Sequence, residues 1–171
     1  YENSGLISAN TNQSLEELDM RYWLMKSEPE EFSIDDLVKH KRTAWFGVRN
    51  YQARNFMMKD MKIGDQVLFY HSSCPEPGIA GLAEVSSDAF PDATQFDKKS
   101  PYYEPKATPE SPRWYNVEVK LVRKTNLVSL ATLRAQAELA DMRVLARGNR
   151  LSITPVTAME WKIITSKLMH A

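Results

Sequence analysis

The sequence has few of the residues that build covalent or metal-based sites. Its 171 residues include one cysteine, Cys74, and three histidines, His40, His71 and His170. A single cysteine excludes an internal disulfide and is typical of a reducing compartment. The spacing of the histidines and Cys74 matches no zinc-ligand pattern. We therefore expect no metal site and no cofactor.

Long apolar runs and an excess of charge of one sign are also absent. No apolar stretch approaches the roughly 20 residues that a membrane span needs, so we expect no membrane partner and a cytoplasmic location, or a nuclear one in a eukaryote. Twenty-two basic residues balance 22 acidic residues. This balance argues against a protein that holds long nucleic acid mainly through its phosphates. Hydrophobic residues make up 43% and charged residues 26%, which is typical of one globular domain.

The first residues differ in character from the rest of the chain. Residues 1–19 are polar and have no clear hydrophobic period, and Met20 follows them. We interpret residues 1–19 as an expression tag or disordered leader. A single domain is then expected over residues 20–171.

Local patterns predict an α+β domain with short elements. Strands are expected at residues 22–25, 66–71, 79–85, 114–122 and 151–153. Helices are expected behind the N-capping residues Ser33, Asn50 and Thr157, and at residues 129–134 and 137–145. Strands interleaved with short helices, without regular βαβ units, favour a small mixed barrel over a doubly wound sheet.

Residues 91–112 are expected to form a long loop, because they hold five of the nine prolines and many polar residues. Loops of this length in compact domains are often functional lids, or are simply mobile. We expect this loop to border a binding site.

The most distinctive segment is residues 45–55, Trp-Phe-Gly-Val-Arg-Asn-Tyr-Gln-Ala-Arg-Asn. Planar side chains that form paired hydrogen bonds lie there beside aromatic rings, which suits recognition of a flat polar ligand such as a nucleobase. The same residues have a plain structural interpretation. In it, Asn50 caps a helix, Trp45 belongs to the core and the arginines are solvated.

Five ordered blocks of the chain resemble the EVE domain family: residues 23–29, 45–55, 64–73, 77–85 and 150–156. The resemblance covers roughly residues 20–168, and the family is related to the YTH domains, which read methylated adenine in RNA. It implies a PUA-like mixed β-barrel surrounded by short helices. It also implies a non-catalytic reader of DNA or RNA that carries a modified, methylated base. We expect the protein to be a monomer.

Trp45 is the leading candidate for a ring that stacks on the base, because a cage tryptophan of YTH domains falls in the corresponding place. Stacking of a base on an aromatic ring contributes about 1–3 kcal/mol. The other candidate nucleobase-binding residues lie near the ends of predicted elements: Lys26, Ser27, Asn50, Tyr51, Gln52, Tyr70, His71 and Ser72. The candidate phosphate rim consists of Arg49, Arg54, Arg147 and Arg150.

Two other functions stay open at this point. A small hydrolase or base-modifying enzyme would use His71 and Cys74, although no orienting Asn or Asp is evident beside them. A nucleotide binder would take a free modified nucleotide and never contact a polymer. The base is open as well, because Ser-Cys-Pro-Glu-Pro at residues 73–77 stands where YTH domains carry a second cage tryptophan. A modified cytosine or another base is therefore as compatible as methyladenine.

Overall fold

The computed structural model describes residues 20–170, and the proposed tag or leader at residues 1–19 lies outside this range. Strands and short helices alternate along the described residues. The strands are β1 Tyr22–Ser27, β2 Arg42–Ala44, β3 Gln66–His71, β4 Gly78–Val85, β5 Phe90–Pro91, β6 Tyr115–Asn116, β7 Glu118–Ser129 and β8 Ile153–Val156.

The helices are short and lie between or after the strands. They are α1 Ile34–His40, α2 Tyr51–Asn55, α3 Leu130–Ala135 and α4 Ala158–Ile163. Two π-helical turns, Phe56–Asp60 and Ile164–Leu168, extend α2 and α4, and 3₁₀ turns lie at Ala93–Phe96, Ala137–Leu139 and Arg143–Leu145. None of the helices within residues 20–170 is long and apolar enough to cross a bilayer.

Local side-chain chemistry starts the helices where the sequence predicts. Ser33 and Thr157 each form a capping box with the third helical residue. The Asn50 side chain accepts the backbone N–H of Ala53 at the start of α2. Each cap satisfies a backbone donor that would otherwise be unpaired, which contributes about 1 kcal/mol to stability.

Six strands form one mixed sheet in the order β2-β7-β4-β3-β1-β8. β1 and β3 are parallel, with Trp23 opposite Val67, whereas the other pairs in this sheet are antiparallel. A parallel pair needs a long crossover, and residues 28–65, which contain α1, β2 and α2, supply it. β5 and β6 form a separate two-stranded ribbon.

Both faces of the sheet are buried, because successive side chains of a strand point to opposite faces. On β3, Val67 and Phe69 join a cluster that contains Trp45, whereas Leu68 and Tyr70 join a second cluster. The first cluster is completed by α1 and α2, and the second by α3, α4 and the 3₁₀ turns at Ala137–Leu139 and Arg143–Leu145.

The sheet is open, which corrects the predicted mixed β-barrel. In the described part of the chain, β2 pairs only with β7 and β8 pairs only with β1. These edge strands have three and four residues and lie at opposite ends of the sheet. A small barrel fills one enclosed interior with side chains, whereas this sheet carries a core on each face. The α+β class is confirmed.

Two predicted boundaries were wrong. The strand expected at 114–122 is broken after Asn116 and continues to Ser129, because β7 pairs along its length with β4. The helix expected at 137–145 is two 3₁₀ turns. Two glycines of β4 allow close packing, because a Cβ at Gly78 would collide with the backbone of Val128 and one at Gly81 would collide with the side chain of Ile34.

Candidate functional site

A cavity of about 710 Å³ opens where β1 and β3 end, next to residues 43–49 and residues 100–102 of the long loop. Its volume lies within the range of about 300–1,000 Å³ that is usual for small-molecule sites. The chemically distinctive lining residues are aromatic, cationic, acidic or hydroxylic: Phe32, Trp45, Phe46, Tyr102, Lys26, Arg49, Arg150, Glu28, Glu31, Ser27 and Ser72.

The structure brings six of the thirteen candidate residues into this lining: Lys26, Ser27, Trp45, Arg49, Ser72 and Arg150. Seven do not line it: Asn50, Tyr51, Gln52, Arg54, Tyr70, His71 and Arg147. The binding roles of all thirteen stay predictions. The expectation that the long loop borders a cavity agrees with the position of residues 100–102.

Trp45 belongs to the core and to the cavity wall at the same time. Its side chain is 7% exposed, and its ring meets Phe69 edge-on with 5.5 Å between the ring centroids. Its backbone N–H donates to the carbonyl of Val117, which continues the edge of β2 toward the cavity. Trp45 therefore forms a rigid surface of the cavity and presents little free ring area.

Lys26 and Ser27 reach the cavity because β1 ends there. Burial lowers the pKa of the Lys26 ammonium, and Lys26 forms no salt bridge with any residue in the range 20–170. The Ser27 hydroxyl donates to the carbonyl of Phe32 at 2.6 Å. Lys26 is thus a half-buried cation with free donors, and Ser27 fixes the turn that follows β1.

Arg49 uses all five of its N–H groups within the protein. Two donate to the backbone carbonyl of Tyr102, at 2.7 and 3.2 Å. The other three donate to the Val48 carbonyl, the Asp92 carboxylate and the Thr94 hydroxyl. A guanidinium has five donors, so a phosphate would have to displace one of these bonds. The structure places Arg49 as a clamp on the loop at 91–112.

One of the hydrogen bonds from Arg49 to the loop is accepted by the buried carboxylate of Asp92. The Asp92 side chain is fully buried and also accepts the backbone N–H of Gly47 at 2.8 Å. Burial alone would raise the pKa of Asp92, but hydrogen bonds from Thr94, Gly47 and Arg49 outweigh it and hold the pKa below its ordinary value. The loop is therefore fixed to the segment that follows β2.

Sequence reasoning missed Phe46, Tyr102 and Glu31 as members of the site. Phe46 is 51% exposed, and its ring lies edge-on to that of Tyr102 with centroids 6.1 Å apart. The Tyr102 hydroxyl donates to the Glu31 carboxylate across 3.4 Å. Burial raises the pKa of the Tyr102 phenol, and the Glu31 charge adds to this effect. The available signals were an aromatic residue beside Gly47 and a tyrosine within the proline-rich loop.

Tyr51 and Arg54 form a separate stack beside the cavity. The Tyr51 ring lies on the buried Trp114 ring at 4.8 Å, and the Arg54 guanidinium lies 4.7 Å from the Tyr51 centroid. Arg54 also donates to the carbonyl of Arg113. The indole N–H of Trp114 finds no acceptor among the described residues. Because Tyr51 is 52% exposed and does not line the cavity, it is a natural control for Phe46.

Tyr70 and His71 serve packing roles at the end of β3. Tyr70 is buried in the cluster on the other face of the sheet, and burial raises its pKa. His71 Nε2 accepts the backbone N–H of Ile34 at 3.1 Å and so anchors the start of α1. Burial lowers the pKa of His71. Neither His71 nor Cys74 lines the cavity, so the geometry does not bring the residues of the hydrolase alternative into it.

The remaining candidates lie on the surface outside the lining. Asn50 uses its side-chain oxygen as the cap of α2, and Gln52 is exposed in the first turn of that helix. Arg147 is exposed in the segment before β8. Within residues 20–170, no group of three or more His, Cys, Asp or Glu side chains is arranged to hold a metal ion.

Comparison with known proteins gives clear similarities over the whole described domain. The sequence pattern of the EVE domain family matches residues 21–167. Human thymocyte nuclear protein 1 is 44% identical over 164 residues, which cover 85% of this chain and 72% of that protein.

Two solved structures extend these similarities to the fold. A hypothetical protein from Leishmania major aligns with a TM-score of 0.82 at 50% identity, over 85% of this chain and 92% of that one. Human THYN1 protein, solved in complex with 5-methylcytosine containing DNA, aligns with a TM-score of 0.80 at 44% identity, over 85% of this chain and 96% of that one. These neighbours are consistent with the PUA-like fold that the sequence predicts.

Proposed function

The chain belongs to the EVE domain family, and from this premise we propose that it binds DNA carrying a methylated cytosine without altering the base. The observation that carries the proposal is the open cavity of about 710 Å³ with aromatic and cationic walls. A protein 44% identical to this chain was solved in complex with 5-methylcytosine containing DNA.

A base inside a duplex has to leave the stack before a pocket of this kind can hold it, at a cost of a few kcal/mol. Phe46 supplies the most exposed ring of the cavity and is the proposed stacking surface. Trp45 and Tyr102 form walls against which the base and its methyl group pack. Apolar contact with a methyl group is one way in which proteins read a pyrimidine.

The polar groups of the cavity fit a neutral base on a charged backbone. Lys26 offers donors for a base carbonyl or a phosphate at the end of β1, and Arg150 is an exposed cation of the lining. Arg49 contributes by holding Tyr102 in the wall. In this proposal the cavity reads the base, and few of its cations are available to contact phosphates.

We propose a reader and not an enzyme, because His71 already accepts a backbone N–H and lies outside the lining together with Cys74. The expectation of a cytoplasmic location, or of a nuclear one in a eukaryote, stays a prediction. The monomeric state is likewise a prediction. Human thymocyte nuclear protein 1 carries the word nuclear in its name.

The test compares affinities for two DNA duplexes that differ by one methyl group, one with 5-methylcytosine and one with cytosine. The wild type should prefer the methylated duplex. Phe46→Ala should weaken binding of the methylated duplex by about 1–3 kcal/mol, the usual contribution of a ring stacked on a base. Tyr51→Ala removes a ring of equal exposure outside the cavity and should leave the affinity unchanged.

A loss of affinity in Tyr51→Ala with none in Phe46→Ala would move the site to α2 and overturn the proposal. Two further ligands separate the alternatives. A matched RNA with 5-methylcytosine tests the polymer, and free 5-methylcytidine tests the nucleotide binder, which should bind the nucleoside as tightly as the oligonucleotide. Product formation on any of these ligands would indicate an enzyme.

A further inference from the structure

This inference rests on the proposed function. A protein that reads methylated cytosine in DNA has to distinguish that base from thymine. Thymine carries the same methyl group at the same ring position and is abundant in every DNA. Aromatic walls that recognise the methyl group do not separate the two bases. The separation has to come from the exocyclic group, which is an amino donor in cytosine and a carbonyl acceptor in thymine.

The cavity therefore needs a hydrogen-bond acceptor where that exocyclic group lies. Carboxylates are the side chains that accept from the cytosine amino group, and the lining contains two, Glu28 and Glu31. A carboxylate also rejects thymine, because two acceptors that face each other repel and form no hydrogen bond. Either carboxylate would thus supply attraction for one base and repulsion for the other.

The two carboxylates differ in how they are held. The phenol of Tyr102 donates to one oxygen of Glu31, Oε2. Tyr102 is itself fixed, since Arg49 binds its carbonyl and its ring lies against Gly47. The Glu28 carboxylate has no hydrogen-bond partner among the described side chains. An oriented group pays less entropy on binding than a free one, which favours Glu31.

We propose that Glu31, oriented by Tyr102, accepts a hydrogen bond from the exocyclic amino group of the bound methylcytosine and so excludes thymine from the cavity. Glu31 is a specificity-determining residue in this account, and Tyr102 is the residue that positions it. Because Tyr102 donates to Oε2, the acceptor for the base in this proposal is Oε1.

The test places 5-methylcytosine or thymine opposite an abasic site in the same duplex, so that the cost of unpairing is the same for both bases. The quantity is the ratio of the dissociation constant for thymine to that for 5-methylcytosine. The wild type should prefer 5-methylcytosine by about tenfold or more, as expected for one well-placed contact to a base edge.

Glu31→Gln keeps the size of the side chain and an acceptor for Tyr102, and it turns an amide N–H₂ toward the base. The ratio should fall by about tenfold, with weaker binding of 5-methylcytosine and stronger binding of thymine. Tyr102→Phe removes the phenol and should lower the ratio by a smaller factor. Glu30→Gln changes an exposed carboxylate outside the lining, so it is the matched control and should leave the ratio as in the wild type. Glu28→Gln tests the other carboxylate of the lining. Thermal unfolding confirms that each variant is folded.

The outcomes separate this inference from the proposed function. An unchanged ratio in Glu31→Gln, or a fall in Glu28→Gln instead, overturns the role of Glu31 even if the methylated duplex is preferred over cytosine. A wild-type ratio near one also overturns it, because thymine would then not be excluded. If the wild type binds methylated and unmethylated cytosine equally, the proposed function fails and this inference fails with it.

Discussion

At the residue scale, the cavity wall depends on one position that has no side chain. Gly47 has a φ of +83°, a backbone conformation that residues with a Cβ rarely adopt. A Cβ at this position would also lie 2.8 Å from the ring of Tyr102. The backbone N–H of Gly47 also donates to Asp92 of the long loop. Gly47 therefore fixes the position of Phe46 relative to Tyr102 and the loop.

Gly47→Ala should therefore reduce both stability and DNA binding. The positive φ costs about 1–3 kcal/mol when a non-glycine residue adopts it, and displacement of the Tyr102 ring adds to this cost. Gly148→Ala is the control, because Gly148 has a φ of +78° and a Cβ added there would meet no neighbouring atom within 4 Å. Urea unfolding of both variants isolates the effect of the ring contact. Equal losses of stability, with DNA affinity retained by both, would contradict the coupling of Gly47 to the cavity.

At the element scale, α1 is attached to the sheet through a titratable group. His71 at the end of β3 accepts the first N–H of α1 with Nε2, and this requires the unprotonated ring. Burial lowers the pKa of His71 from 6.5, and the opposing charges of Asp35 and Lys124 act on it as well. These two residues form a salt bridge of 2.7 Å near His71.

The folded protein should lose stability as the pH falls below about 6.5, because the unfolded chain then binds a proton at His71 that the folded chain binds only at lower pH. The contribution of His71 is fully present above that pH and declines toward its folded pKa. His71→Gln keeps an acceptor without titration and should flatten the pH dependence. His40→Gln, at an exposed position, serves as the control. An unchanged pH profile in His71→Gln would show that the bond to Ile34 does not limit stability in acid.

The helix caps could be predicted from the sequence, whereas the contacts of the long loop could not. Helix caps at Ser33, Asn50 and Thr157 are local, since each cap and its partner are three residues apart, and the sequence predicted them. The contact of Tyr102 with Gly47 joins residues 55 positions apart, and no local pattern encodes it. For the same reason Phe46 and Tyr102 were missed, whereas Trp45 was identified through a resemblance to a family.

Some side chains that were predicted to bind the ligand also form hydrogen bonds within the protein. Arg49 was predicted to contact phosphate, which stays a prediction, and its five donors form hydrogen bonds within the protein. Asn50 was predicted to read a base edge, and its oxygen caps α2. Side chains that can bind a base can also cap a helix or hold a loop. Which role such a side chain takes depends on the distant segments that pack beside it.

At the scale of the whole molecule, the distribution of charge limits the number of DNA phosphates that the protein can contact. The chain has no net charge, and the cations of the cavity lining are Lys26, Arg49 and Arg150. Arg49 is bound internally, which leaves two cations of the lining for phosphates. A reader of this kind gains its affinity from the base and little from the backbone.

The affinity for methylated DNA should accordingly fall only slowly as salt rises. Each neutralised phosphate of duplex DNA contributes about −0.9 to the slope of log K against log salt, so two contacts predict a slope of about −2. Titrations across a salt series, with and without the methyl group, give the slope and the selectivity together. A much steeper slope combined with indifference to methylation would indicate a general nucleic-acid binder.

The central claim is that the methylated base lies inside the cavity, and magnetic resonance tests it most directly. A duplex with one ¹³C-labelled methyl group on 5-methylcytosine gives a single methyl signal to follow upon binding. We predict that this methyl group shows nuclear Overhauser contacts with ring protons of Trp45, Phe46 or Tyr102, which line the cavity. A bound complex whose methyl group contacts none of these rings, or contacts Tyr51 and Trp114 instead, would contradict the account.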